Sequence, residues 1–393
     1  MPITLDKNSG RPTTGDREPA AAGKSGWSLL GTGALWALAI FVAINAALLP
    51  AALKEKSSID LLTGTGSIEL ALTDFYALKQ RPSIVLLGSS LMMFPFWSLD
   101  RDLDPSLPDI FHHHVSRALE GKLSEQGWKN PCVFSFAIFG QMLSDAYIYL
   151  SEFLKGDRKP DWIIYGIAPR DFSDHDLSAP TATMTFKRLV GLENLGKYAS
   201  LYLPGWQDKA DFVAAHACFF YGKRWRLQQE VQKAVNKVYG VLGLDQSACG
   251  AAANETRPGF VLDGSPEFRW QSSTNEYGRR YRNIDGKDLD VQMGFLDRLL
   301  SLCQERGIKV ILINMPLTEK NRSLLPAGFY AGFRARIAKA ADRPGIKLLD
   351  LGESPEFVRG DYWDTAHLNH SGARKLLPHI LRTLADAGAA DRR

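Results

Sequence analysis

The chain has 393 residues, of which 45% are hydrophobic and 23% charged; it can bury a full core in one large domain or in a domain carrying an insertion, so disorder is excluded. Its formal net charge of +4 is small for this length, and no basic stripe interleaved with aromatics accompanies it, so an obligate nucleic-acid binder is excluded too. Four cysteines, Cys132, Cys218, Cys249 and Cys303, show neither close pairing nor metal-ligand spacing. Cys132 and Cys303 sit in apolar segments and read as buried free thiols, while a Cys218–Cys249 disulfide is left open.

Residues 1–26 form a polar tail in which Lys7, Arg11, Arg17 and Lys24 outnumber Asp6, Asp16 and Glu18. From Ser25 to Leu53 there is no charged residue, and the stretch carries Leu29-Leu30, Leu35-Trp36-Ala37-Leu38-Ala39-Ile40-Phe41-Val42 and Leu48-Leu49. A bilayer core needs about 20 apolar residues, and Trp27 with the flanking lysines suits the two interfaces. A secretory signal peptide has an apolar core of only about 7–15 residues and does not follow so long a polar tail. Residues 27–53 therefore read as an uncleaved transmembrane anchor. The positive excess of the tail keeps it in the cytoplasm, and the large domain lies outside the cytoplasmic membrane.

Beyond the anchor, short β-rich apolar runs alternate with helical patterns. The runs are Ser83–Leu87, Cys132–Phe136, Trp162–Ile167, Lys309–Asn314 and Lys347–Leu351; the helices are expected near Ile110–Gln126, Met142–Lys155, Asp288–Arg306, Tyr330–Ala341 and Ser371–Ala387. That alternation specifies an α/β domain with a five-stranded parallel sheet covered on both faces. It is split into a first part, 80–175, and a second, 287–388, by a mainly helical insertion over 176–286. His112, His113 and His114 are consecutive, cannot share one helix face, and read as a solvated stretch rather than a metal site. Within the insertion, Phe212 to Tyr239 interleaves Lys223, Arg224, Arg226, Lys233 and Lys237 with aromatics. It is either a helix on an anionic membrane surface or a solvated helix packed on the domain. A second segment, Phe268 to Arg282, clusters Tyr277, Arg279, Arg280 and Tyr281, residue types that stack on sugars and grip anionic groups; it also reads as a polar loop that happens to be aromatic.

Two motifs carry chemistry. Gly88-Ser89-Ser90-Leu91 follows the first strand and puts a hydroxyl on a tight turn into a helix, where backbone N–H groups can hold an oxyanion. Asp364-Thr365-Ala366-His367 places a carboxylate three residues before a histidine, one side of a helical turn, so that Asp364 can accept a hydrogen bond from Nδ1–H and leave Nε2 as base. Ser90, Gly140, Arg170 and the Asp364/His367 pair each follow a strand, at the carboxyl edge where open parallel sheets bind ligands. No internal repeat, phosphate-cradling glycine loop or metal-ligand cluster is present, and no cofactor is implied.

Over residues 82–175 and 305–388 the chain resembles the SGNH, or GDSL, hydrolase superfamily. In the first block Ser90 takes the nucleophile's place, with Ser89 where the family has Asp. The second block, Ala137-Ile138-Phe139-Gly140, is similar to the one whose glycine gives an N–H to the oxyanion. The last is Asp364-Thr365-Ala366-His367, followed by a similar Leu368-Asn369 and Gly372. The third block departs: Ala168-Pro169-Arg170-Asp171 stands where the family has Gly-x-Asn-Asp, so Arg170 replaces the oxyanion asparagine. Arg170 either donates to the oxyanion, adding charge suited to an anionic substrate, or clamps Asp171 or Asp174.

The resemblance implies a three-layer, doubly wound, flavodoxin-like sheet with Ser90, Asp364 and His367 catalytic and Ser90, Gly140 and Arg170 at the oxyanion. An N-terminal span before such a domain is similar in layout to the proteins that move acyl groups onto envelope polymers, such as the teichoic-acid D-alanylation protein and the alginate O-acetyltransferases. It implies an extracytoplasmic serine O-acyltransferase or esterase acting on an envelope glycan, with a membrane-embedded acyl-transfer partner and a polysaccharide acceptor. The alternative is a catalytically silent envelope assembly or binding protein that keeps the fold.

Overall fold

The computed structural model describes residues 27–55, 66–107, 109–177, 179–241, 264–284 and 286–388; the polar tail 1–26 and Cys249 lie outside the described residues. Five strands, β1 (Ile84–Gly88), β2 (Val133–Ser135), β3 (Trp162–Ile167), β4 (Lys309–Asn314) and β5 (Ile346–Asp350), form one sheet in the order β2-β1-β3-β4-β5. All four pairings are parallel. Each strand lies within one residue of the run expected for it, because short runs rich in β-branched, aliphatic and aromatic residues are what buried strands require. The interior strands β1 and β3 are wholly buried, whereas the edge strand β5 exposes Lys347 and half-exposes Leu348 and Leu349. The order is that of a doubly wound sheet, reversing direction between β1 and β3, and the crevice at that switch point is where ligands bind in such folds.

Helices cover both faces. Ser90–Leu103, Arg117–Glu125 and His370–Asp386 pack together on one face; Leu143–Glu152, Gly286–Glu305 and Phe329–Ala341 lie on the other. In Gly286–Glu305 the buried positions Leu289, Met293, Leu296, Leu300 and Cys303 recur every three or four residues, the stripe that a helix laid on a sheet must bury. Gln292 from that stripe accepts the Ser144 N–H at 2.9 Å, fastening it to Leu143–Glu152. A further helix, Gly66–Ala77, precedes the expected start of the domain at residue 80. It buries Phe75 against Phe134 and Phe136, at ring separations of 5.1 and 4.8 Å. The Arg158 guanidinium donates to its last carbonyls, Phe75 at 2.8 Å and Tyr76 at 3.2 Å, satisfying acceptors that a helix end leaves orphaned.

One expected helix is broken. Instead of running from Ile110 to Gln126, the chain makes a 3₁₀ turn at Ile110–His112 and enters a helix at Arg117. Between them Val115 bridges Phe134 antiparallel, and the Ser135 N–H donates to the His114 carbonyl at 2.9 Å, so this segment caps the open edge of β2. The histidines are consequently not a solvated stretch: His113 and His114 are buried. His113 Nε2 lies 2.7 Å from Asp100 Oδ2, and burial beside His113 pushes His114 down to about 4.

The insertion is helical where described, with Met184–Leu189, Leu195–Tyr202, Trp206–Ala217, Phe219–Gly222, Arg224–Val241 and Pro266–Arg280. The segment expected to be one helix from Phe212 is interrupted at Cys218, and the aromatic–arginine cluster is a helix rather than a loop. The amino-terminal apolar stretch is a helix, Trp27–Glu55; among the described residues no helix is long and apolar enough to cross a membrane, so the anchor expected over 27–53 is shown as a helix but not as a span.

Candidate active site

Gly88 ends β1 with φ +141°, and a Cβ there would lie 2.6 Å from Met92 Cγ and 2.7 Å from the Gly166 carbonyl. Only glycine permits this conformation and this approach to β3. The chain passes through extended Ser89 and starts a helix at Ser90, which is half-buried. From that first position Ser90 Oγ lies 2.8 Å from His367 Nε2. His367 Nδ1 is 2.8 Å from Asp364 Oδ2 and 3.0 Å from Oδ1. The carboxylate beside Nδ1 assigns the ring proton there, leaving Nε2 to accept from the serine hydroxyl. Ser89 is buried and faces Asp171 instead.

Asp364 to His367 is not a helical turn. The spacing is met in a loop, where Asp364 Oδ1 accepts the N–H of Ala366 at 2.8 Å and of His367 at 2.9 Å, an Asx turn that aims the carboxylate back at the ring. Burial works to raise the Asp364 carboxyl, but the His367 ring and these two N–H groups outweigh it and hold the carboxyl below its ordinary range. The loop is braced from several sides. Trp363 N–H donates to the His367 carbonyl at 2.7 Å, and Thr318 Oγ1 to the Thr365 carbonyl at 2.6 Å. Ser273 Oγ, from the insertion, sits 2.6 Å from Thr365 Oγ1. Phe94, one turn after Ser90, packs its ring 5.3 Å from that of His367.

The loop after β2 closes on the same turn. Ile138 N–H donates to the Gly88 carbonyl at 3.0 Å and Gly88 N–H to Gln141 Oε1 at 2.8 Å. Gly140 adopts φ +74°, and among the described residues neither its N–H nor that of Ser90 is seen donating to a backbone acceptor. Gln141 is a positioning residue that the sequence did not single out: its amide also donates to the Phe136 carbonyl at 2.7 Å, joining the two loops, and nothing in its local pattern marks it.

Arg170 is buried in the clamp that its sequence neighbours allow. Nη1 is 3.3 Å from Asp171 Oδ1 and Nε is 3.0 Å from Asp174 Oδ2, the latter a helical i,i+4 spacing. Its remaining arm, Nη2, faces Gly140, 3.2 Å from where a Cβ at that position would lie. The guanidinium is thus both fixed by two carboxylates and adjacent to the glycine. Burial raises Asp171 to about 6, even beside Arg170 and with the Ala168 N–H bonded to it. Asp174 also receives Arg280 Nη1 at 2.6 Å.

That last contact shows how the expected sugar-binding cluster is used. Arg280 pairs with Asp174 and Glu276, Arg279 pairs with Asp176 at 3.0 Å, and Tyr277 and Tyr281 are core residues. Tyr277 and Tyr281 are thus packing residues, while Arg279 and Arg280 are ion-paired but only partly buried. An open cleft of about 530 Å³ lies elsewhere, with a lining that includes Phe94, Trp97, Arg101, Arg269, Trp363 and His370. Arg269 stacks 3.9 Å from the Trp363 ring centroid and Arg101 lies 5.0 Å from that of Trp97. Phe94 belongs to both the cleft and the packing of His367, and Trp363 adjoins Asp364, so the cleft abuts the loop that carries the histidine, although Ser90 and His367 themselves do not line it.

Cys132 and Cys303 are buried free thiols, the latter pushed by burial up to about 12; Cys218 is half-buried, with its S–H 3.2 Å from Asn45 Oδ1. Among the described residues no group of three His, Cys, Asp or Glu side chains comes together as a metal site. A scan of the chain against protein-family models finds no match, and a search of curated proteins finds none either.

Proposed function

We propose that the protein is a serine-dependent acyl-transfer enzyme of SGNH type, an O-acyltransferase or esterase acting on a cell-envelope glycan. It is held in the cytoplasmic membrane by a single pass over residues 27–53, with its α/β domain on the extracytoplasmic side. The observation that carries the reading is the hydrogen-bonded chain Ser90–His367–Asp364, with 2.8 Å contacts on both sides of the imidazole, at the carboxyl edge of a doubly wound sheet.

Ser90 Oγ attacks the acyl carbonyl carbon while His367 Nε2 takes the hydroxyl proton. Asp364 holds the ring orientation and stabilises the imidazolium that forms. The oxyanion sits against the N–H groups of Ser90 and Gly140 and the Nη2 arm of Arg170. Collapse breaks the bond to the leaving oxygen, which takes the proton from His367, and leaves an acyl-Ser90 ester. A glycan hydroxyl, or water, then gives its proton to His367, attacks the same carbon and regenerates the serine. The neighbouring cleft supports a carbohydrate acceptor, since indoles and guanidinium groups are the side chains that stack on sugar faces and bind their anionic substituents.

A fluorophosphonate probe tests the reading, because only an activated serine labels. Wild-type protein labels and Ser90→Ala does not. Absence of labelling in folded wild-type protein removes the catalytic reading and leaves a binding module.

A further inference from the structure

The helix Trp27–Glu55 exposes apolar side chains, among them Leu35, Trp36, Leu38, Ile40 and Val42, yet its one carboxamide, Asn45, is buried. Asn45 Nδ2 donates to the Phe41 carbonyl at 2.7 Å. Its Oδ1 accepts the Phe220 N–H and the Cys218 S–H, both at 3.2 Å, and the Phe41 and Phe220 rings stack at 5.8 Å. The Phe220 N–H is an orphan donor at the start of the short turn Phe219–Gly222, so Asn45 satisfies it from another part of the chain. At 1.5 Å per residue Asn45 lies about 14 Å along the axis from Lys54. The insertion therefore meets the apolar helix along its length, away from its charged end.

The contact is made by an elbow between two helices, Trp206–Ala217 and Arg224–Val241. Gly222 allows the fold-back, since a Cβ there would sit 2.2 Å from the Ala215 carbonyl. On the second helix Leu227, Val231, Ala234 and Val238 follow one another at spacings of four, three and four residues and form one stripe. The stripe is open: Val231 is 62% and Val238 55% exposed. Lys223, Arg224 and Lys237 flank it, and Trp206, at the start of the partner helix, is 76% exposed. An apolar stripe with basic flanks and an aromatic at the boundary is the composition of a helix that lies in a bilayer interface.

We propose that Trp206–Val241 is a second membrane-embedded element. The elbow Cys218–Gly222 enters the apolar layer beside the Trp27–Glu55 helix, and Arg224–Val241 slants from it up to the headgroup boundary with Leu227, Val231, Ala234 and Val238 turned into lipid. This rests on residues 27–53 being an anchor. A single span leaves a domain free to rotate; two elements joined at Asn45 fix which side of it faces the membrane. The same spacing would also suit a coiled coil with a second copy, but the Asn45 bonds tie the elbow to an apolar helix, and that continuity favours lipid.

The test uses the full chain in phosphatidylethanolamine/phosphatidylglycerol vesicles, with Cys218→Ser and Cys249→Ser as background and nitroxide labels at Leu38→Cys, Glu230→Cys, Val231→Cys or Val238→Cys. Oxygen relaxes the labels at 38, 231 and 238 more than a water-soluble nickel chelate does, and the order reverses at 230. Nickel access at 231 and 238 with 38 still in lipid overturns this inference and leaves the anchor standing. Nickel access at 38 overturns the anchor and the inference with it. Labels at 231 shielded from both reagents and broadened by a label on a second chain assign the stripe to a dimer, against the proposal.

Discussion

Asp364→Asn separates a working relay from a coincidental cluster. In the wild type one oxygen, Oδ1, takes the N–H groups of Ala366 and His367 at 2.8 and 2.9 Å, while Oδ2 faces the ring at 2.8 Å. An asparagine keeps an oxygen for the two backbone donors, so the Asx turn and the position of residue 367 survive. At the ring it presents N–H instead of a lone pair. His367 Nδ1 must then accept, the ring proton moves to Nε2, and Nε2 can no longer take the hydroxyl proton of a serine 2.8 Å away. The expected loss in kcat is on the order of 10⁴-fold. At about 1.36 kcal/mol per factor of ten, that is roughly 5.4 kcal/mol of transition-state stabilisation. The fold responds differently. Because the Asp364 carboxyl is held below its ordinary value of 3.8, its contribution to stability is complete above that pH and is lost as pH falls through the lower folded-state value. The Tm deficit of Asp364→Asn is therefore flat at neutral pH and shrinks in acid. Fluorophosphonate labelling rate and acetyl-ester turnover, measured beside a melting curve, check both parts. A folded Asp364→Asn protein that labels within about tenfold of wild type would refute the relay.

Three further outcomes follow from the same contacts. Arg170→Ala removes a buried partner from Asp171 and Asp174, a loss of about 3–5 kcal/mol, nearer the lower figure because Asp174 keeps Arg280. It also slows labelling on the order of 100-fold through the lost oxyanion donor, and Arg170→Asn recovers part of the rate but little of the melting temperature. A lower Tm with wild-type labelling assigns Arg170 to the clamp alone. Burial raises Asp145 from 3.8 to about 6, so the fold is penalised as this carboxyl ionises over that interval. Asp145→Asn keeps an acceptor for the Met142 N–H and melts progressively higher than wild type as pH rises from about 3.8 to about 6, with a constant margin above that; a difference that does not change with pH in thermal scans contradicts this. Gly88→Ala, with a methyl 2.7 Å from the Gly166 carbonyl in a left-handed conformation, destabilises by at least about 1–3 kcal/mol and displaces Ser90. A denaturation midpoint equal to wild type would show that the turn relaxes without cost.

The five strands were legible in the sequence because buried parallel strands need short runs dominated by β-branched, aliphatic and aromatic side chains. The candidate side chains were legible as a set because each follows a strand, and parallel strands bring all their carboxyl ends to one edge. Local pattern reaches only about a helical turn along the chain, and failed wherever the partner was distant. The segment His113–Ser116 reads as helix until it meets the open edge of β2, which takes it as a bridge and buries two histidines. Asp364 and His367 have helical spacing, but the loop is shaped by Thr318 and by Ser273 of the insertion. Tyr277 and Arg280 have the composition of a sugar-binding surface and are core and ion pair, since Asp174, about a hundred residues earlier, lies beneath them. The sequence by itself determined which residues could do chemistry and on which edge they would stand. Tertiary packing alone decided that Ser90 and His367 meet at 2.8 Å across 277 residues, and that Arg170 is held by two carboxylates with one arm left toward Gly140. Such contacts depend on strand order and on which helix covers which face, and those are settled by the burial of the whole chain rather than by any segment of it.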